Sequence, residues 1–316
     1  MNEIYTRRRW LAMAAATAAP AKPLRGIFPI MATPYTPAKA LDYEDLAHEV
    51  EYLDRCGVPG MVWPQLFGET FQLTKEERIR GMEEIARAAK GRRPAVVLGV
   101  QGPNTAAALE YLERAESLRP DAFIALPPTE GKTLDDFVHY FRALGHATTR
   151  PLFIQNADIG TGLKPPIDVL IRLAKEYPHL GYFKEEIEPA IERMRELARH
   201  RPLVSRIFAG NGGRSLLYEM RLGFDGCMAG NAYADVYVDI WNAFESGQQA
   251  KARELYGKLL LMLNCEQYIP GVREYMMKRR GIFKTMVSRQ REVSLSPEAI
   301  REIEFHFEAL KPHLRA

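Results

Sequence analysis

From Leu24 onward, short continuous apolar runs alternate with longer stretches in which apolar residues recur every three or four positions. The first pattern suits strands buried on both faces, and the second suits helices that cover them. Strands are predicted at 26–32, 60–64, 95–100, 122–126, 152–156, 180–184, 206–209 and 226–229. Helices are predicted between them at 43–55, 75–90, 105–118, 133–148, 167–177, 189–200, 214–222 and 235–244. Eight strand–helix pairs in strict alternation fit a closed (β/α)8 TIM barrel better than an open doubly wound sheet, which usually has fewer strands. After Gly247 the strands stop, and 248–264, 271–280 and 296–311 read as three helices. The last opens on Ser296-Pro297-Glu298, where serine caps and proline fits the first turn. The expected layout is therefore an α/β barrel over 24–246 and a packed C-terminal helical extension over 247–316.

One residue stands out against this frame. Lys184 closes the run Leu180-Gly181-Tyr182-Phe183-Lys184, at the strand end where a barrel carries its chemistry. An ammonium walled in by apolar groups is costly to desolvate, and an amine freed there attacks carbonyl carbon to give a Schiff base. The plainer alternative is a solvated lysine that opens a helix beside Glu185 and Glu186.

Composition narrows the options. With 316 residues and 47% apolar content, the chain can bury a large core. Its net charge is +3, and the first 21 residues hold three arginines and one glutamate, leaving +1 for the rest. So balanced a surface has no broad field to attract nucleic acid. Cys56, Cys227 and Cys265 are an odd, widely spaced set, which suggests buried thiols and neither disulfides nor a zinc knuckle. The seven histidines form no HExxH or HxH pattern, so no metal site is expected.

Residues 1–21 read differently. Arg7-Arg8-Arg9-Trp10-Leu11, the weakly apolar run 12–19 and the small-residue sites near Ala18 and Ala21 follow a twin-arginine export signal. The expectation is an exported, periplasmic protein, or a cytoplasmic one if the signal does not function. The apolar run is too short to span a bilayer, and no membrane span is expected in the mature chain.

Several motifs, in order, resemble the dihydrodipicolinate synthase and N-acetylneuraminate lyase family. They are Thr33-Pro34-Tyr35 after strand one, Gly68-Glu69 with 73–78 after strand two, Gly99-Val100 at strand three, and Asn156 with Thr161-Gly162 after strand five. Lys184-Glu185, Gly210 and Gly223-Phe224-Asp225-Gly226 complete the set. No one motif is specific; their order and spacing are. The resemblance implies a barrel with three further helices, a catalytic Lys184 forming a Schiff base with a 2-oxo acid, no cofactor, and a homotetramer or dimer. Carbon–carbon cleavage or condensation (aldolase) and loss of water (dehydratase) both remain open.

Departures from the family pattern are equally informative. After strand two, the GTTGE or GSTGE stretch that holds the substrate carboxylate is replaced by Gln65-Leu66-Phe67-Gly68-Glu69, so only the backbone around Leu66 and Phe67 is left for that task. Glu69 is read as a loop brace. The proton-relay tyrosine of strand five becomes Gln155, which takes the catalytic position but has no titratable proton. Thr129 replaces a second tyrosine and Gly160 a carboxylate-gripping arginine, which argues against lysine biosynthesis. Asn156, Asp158, Gly210, Asn211 and Tyr233 are candidate polar contacts, although each could simply stabilise a loop. Trp63, Phe67 and Met228 suggest an apolar pocket, with Phe67 and Met228 touching substrate. Two alternatives stand beside the lyase: a non-catalytic family member that binds a small acid or sugar, and an isomerase binding phosphate at the glycine-rich turn Gly210-Asn211-Gly212-Gly213-Arg214.

Overall fold

A computed structural model of the protein describes residues 22–315. The twin-arginine stretch and the proposed signal at 1–21 lie outside the described residues. In chain order the elements are β1 (Gly26–Ile27), α1 (Tyr43–Cys56), β2 (Gly60–Trp63), α2 (Lys75–Ala88), β3 (Ala95–Gly99), α3 (Thr105–Ser117), β4 (Ala122–Ala125) and α4 (Leu134–Ala147). There follow β5 (Leu152–Asn156), α5 (Ile167–Glu176), β6 (Tyr182–Glu185), α6 (Ala190–Ala198), β7 (Arg206–Ala209), α7 (Leu216–Arg221), β8 (Gly226–Cys227) and α8 (Ala234–Glu245). Three more helices, α9 (Gln249–Tyr268), α10 (Val272–Arg279) and α11 (Pro297–Glu308), complete the chain.

All neighbouring strands are parallel, in the order β1-β8-β7-β6-β5-β4-β3-β2. Ile30 closes the ring, bridging Val62 on one side and Gly230 on the other. The result is a (β/α)8 barrel with a helical C-terminal region. Alternate residues fill its interior, where Phe28, Phe153 and Phe208 meet edge to face at 5.1 and 5.2 Å. Residues of the opposite parity, such as Phe123, Phe183 and Ile207, pack outward against the helices.

Of the boundaries that differ from the sequence expectation, three have a clear local reason. β1 stops at Ile27 because Pro29 has no N–H to give the ladder, and pairing resumes only at Ile30. Leu180 belongs to a tight turn, Pro178–Leu180, so β6 starts at Tyr182 and extends one residue beyond Lys184. α7 begins at Leu216 because Asn211, Gly212 and Gly213 all take positive φ.

The extension is bound into the barrel. Ser296 caps α11 by accepting from the Ala299 amide at 3.1 Å, as expected. Arg280 pairs with Asp235 of α8 at 2.7 Å with both side chains buried. Farther along, Thr285 donates to the Tyr35 carbonyl at 2.6 Å, Ser288 donates to Glu69 at 2.6 Å, and Arg289 pairs with Glu77 at 2.6 Å. Glu69 also accepts from the amides of Arg289 and Gln290, which makes it a brace between the strand-two loop and the tail. Among the described residues, no helix is long and apolar enough to cross a membrane, and no group of three or more His, Cys, Asp or Glu is arranged to hold a metal ion.

Candidate active site

Parallel pairing sets Gln155 of β5, Lys184 of β6 and Phe208 of β7 at one level of the barrel. Phe153 and Phe208 face inward, so Gln155 and Lys184 share the inner face by the two-residue period of a strand. Lys184 is 4% exposed at the carboxyl end of the barrel. Its surroundings differ from the apolar walls expected from sequence. The ammonium Nζ lies 3.1 Å from Oε2 of Glu186, two residues on, at the same inner face. Gln155 donates from Nε2 to that same oxygen at 2.6 Å, and the Asn211 amide reaches Oε1 at 3.4 Å. The Glu186 amide is itself fixed to the Asn156 carbonyl at 2.9 Å. All three groups around this carboxylate, Lys184, Gln155 and Asn211, are candidates from the sequence; the carboxylate is not.

Gly210 explains why there is room for it. A Cβ at that position would run into the Glu186 side chain, so the glycine provides space for the carboxylate. On the outer face, Glu185 accepts from Asn156 Nδ2 at 2.8 and 3.1 Å and pairs with Arg193 of α6 at 3.1 Å. Burial pushes the Glu185 carboxyl up, opposed by Arg193 and Asn156. That network anchors β6 to its helix and turns Asn156 away from Lys184.

The remaining candidates fall elsewhere. Asp158 is exposed and accepts from the Gly160 amide at 3.0 Å, with Lys164 at 3.4 Å. Met228 is a barrel-interior residue beside Phe28 and Phe208. Trp63 faces outward onto Gly81 of α2 and donates to Thr33 at 3.1 Å. Leu66 is half-buried in a tight turn, Leu66–Gly68, and Phe67 is exposed with the Arg273 guanidinium 4.2 Å above its ring. The apolar pocket expected from Trp63, Phe67 and Met228 is therefore not assembled: the three side chains serve the helical layer, the surface and the barrel core. Tyr233 is buried within the core, its hydroxyl without a partner.

The glycine-rich turn does not hold a ready phosphate cradle either. Its Asn211 amide already faces the Glu186 carboxylate, whose charge would repel a second anion. Beside this turn, a cavity of about 420 Å³ opens between α6 and α7, lined by Glu186, Gly210, Asn211, Ser215 and Glu219 among others. Burial pushes the Glu219 carboxyl up to about 7, partly offset by the Ser215 hydroxyl at 2.7 Å.

Glu186 was legible in principle. Carrying the strand alternation two residues beyond Lys184 puts position 186 on the same face as 184, whereas the strand-six motif stops at Lys184-Glu185 and Glu186 enters only in the alternative of a solvated helix start. The cue lies in strand alternation.

The chain matches the model of the Dihydrodipicolinate synthetase family over residues 23–308. A curated relative, L-2-keto-3-deoxyarabonate dehydratase of Azospirillum brasilense, is 26% identical over 287 residues, covering 88% of this chain and 92% of its own. Among solved structures, dihydrodipicolinate synthase from Rhodopseudomonas palustris superposes with a TM-score of 0.81 at 24% identity, over 90% of this chain and 97% of that one. Proteus mirabilis N-acetylneuraminate lyase gives 0.81 at 19%, over 92% and 99%.

Proposed function

The chain belongs to the dihydrodipicolinate synthetase family, and from that premise we propose that it is a Schiff-base lyase acting on a 2-oxo acid, with Lys184 as the nucleophile. The observation that carries this reading is a buried Lys184 at the carboxyl end of β6, its ammonium 3.1 Å from a carboxylate able to receive a proton. Lys184 condenses with the ketone, and the iminium draws electrons from the neighbouring C–H bond, activating the substrate for loss of water or carbon–carbon cleavage. No organic cofactor or metal is required for that sequence.

Dehydration is the favoured branch. Gln155 keeps its Oε1 buried and unpartnered, an acceptor suited to a substrate hydroxyl. The likeness to a dehydratase for a 2-keto-3-deoxy sugar acid supports a hydroxylated 2-oxo acid as substrate. Synthesis of dihydrodipicolinate fits poorly, because Gln155, Thr129 and Gly160 stand where the synthase pattern has two tyrosines and an arginine.

The test is borohydride reduction with pyruvate and with longer, hydroxylated 2-oxo acids, followed by peptide mass mapping. The expected adduct is on Lys184 and is absent from Lys184→Arg, whose guanidinium holds its proton too tightly to attack. Adducts on another lysine, or none across the panel, would overturn the assignment and favour a binding protein.

A further inference from the structure

We propose that Glu186 is the acid–base group of this site and does the work for which the family pattern uses the strand-five tyrosine; this rests on Lys184 being the imine-forming lysine. The Gln155 amide cannot move a proton, but it holds the oxygen that can, at 2.6 Å. That oxygen is also 3.1 Å from Nζ, within reach for direct transfer.

The proton balance is simple. Glu186 takes one ammonium proton, and the freed nitrogen pair attacks the ketone carbon, moving the carbonyl π pair onto oxygen. Glu186 returns that proton to the oxygen, then carries a second from nitrogen to the hydroxyl, which leaves as water. One proton stays on the iminium, the total charge is unchanged, and Glu186 is again a carboxylate. It then takes a proton from C3, two bonds from the nitrogen. The C–H pair becomes the C2–C3 double bond, and the C–N π pair returns to nitrogen. In a substrate with a C4 hydroxyl, the enamine pushes out that group as the C4–O bond breaks, with protonated Glu186 completing the departing water.

Position favours Glu186 over the other titratable groups near the site. Asp158 is exposed and committed to its own loop and Lys164; Glu185 is turned outward and paired with Arg193; the Tyr233 hydroxyl is enclosed in the core. Glu186 alone of these contacts Nζ. It also borders the 420 Å³ cavity between α6 and α7, through which its proton can exchange with solvent water.

The experiment uses the full chain with pyruvate in two assays: the rate of borohydride-trapped adduct, and exchange of the pyruvate methyl protons for deuterium followed by NMR. Glu186→Gln keeps the shape and a hydrogen-bond acceptor for Lys184, so circular dichroism should be unchanged. Its adduct formation and its exchange should both fall on the order of 10²–10⁴-fold, the usual weight of a general acid–base group. Glu186→Asp should retain part of both rates and serves as the second variant if glutamine impairs folding. Wild-type rates of exchange and trapping in either folded variant would overturn the role of Glu186. No adduct in the wild-type chain would overturn the Lys184 reading first, and this inference with it.

Discussion

Glu186 and Gly210 share one small volume, which makes the site sensitive to a single methyl group. In Gly210→Ala the new Cβ would displace the carboxylate from Lys184 and Gln155. Misplacing a reacting group by about 1 Å costs on the order of 10²-fold, so trapping of the imine should slow by about that factor while the fold persists. Trapping kinetics with circular dichroism as control would check this, and an unchanged rate would mean that Glu186 is not held as described. Glu49 offers a second test. It is buried, accepting from the Ala32 amide at 3.0 Å and from Asn231, and burial pushes its carboxyl up to about 8 from an ordinary 4.5. The folded state therefore holds this proton more tightly than the unfolded chain, so its contribution to stability is full below about pH 4.5 and is lost as the pH rises towards 8. Glu49→Gln, which cannot titrate, should lose less stability over that range by a few kcal/mol, read from urea midpoints at several pH values. Lys184 and Gln155 were visible in the sequence because each sits at a fixed place in an ordered motif set. Strand alternation puts Glu186 on the face of Lys184, but only the fold brings it onto the Gln155 amide and into the space left by Gly210.

Helices were the most legible elements, since most have an amphipathic period and several have sequence-encoded caps. Thr74 and Glu77 form a reciprocal capping box on α2, and Thr133 with Asp136 does the same on α4. Strand ends were less legible because backbone chemistry decides them, as Pro29 does for β1 and the Pro178–Leu180 turn does for β6. Side-chain direction suffered for the same reason. Trp63 reads as a pocket residue until the register of β2 turns it onto α2. Between elements, the Arg280–Asp235 pair ties the end of α10 to α8 at 2.7 Å, out of contact with solvent. Removing one partner leaves the other charge buried. Arg280→Met or Asp235→Asn should each cost about 3–5 kcal/mol, and the double variant less than their sum. Denaturant titration of all four proteins closes this cycle; additive losses would show that the pair acts as two independent groups.

At the level of the whole molecule, alternation of apolar runs and amphipathic stretches was enough to indicate the eightfold barrel, because each βα unit repeats one burial problem. How the tail attaches was not encoded in any local pattern, since several of its partners lie more than 200 residues away, as Glu69 does from Ser288. The assembly expected from the family resemblance, a dimer or tetramer, remains a proposal. Leu261 and Tyr268 of α9 and Phe305 of α11 are exposed apolar side chains, Phe305 at 74%. Sedimentation should give two or four times the 35.9 kDa chain mass, and a monomer at micromolar concentration would refute the assembly. The brace around Glu69 has a further consequence for anyone who would use this barrel as a scaffold. The tail fastens the loops after the first two strands, so lifting out the eight strands and their helices alone would strip those loops of contacts that hold them. A chain cut near residue 246 would lose Ser288 and Arg289 from the strand-two loop and leave the Asp235 carboxylate buried without Arg280. Insertions, fusions and permuted termini would have to respect a closed circuit in which the last segment of the chain is a keystone for the first turn of the barrel.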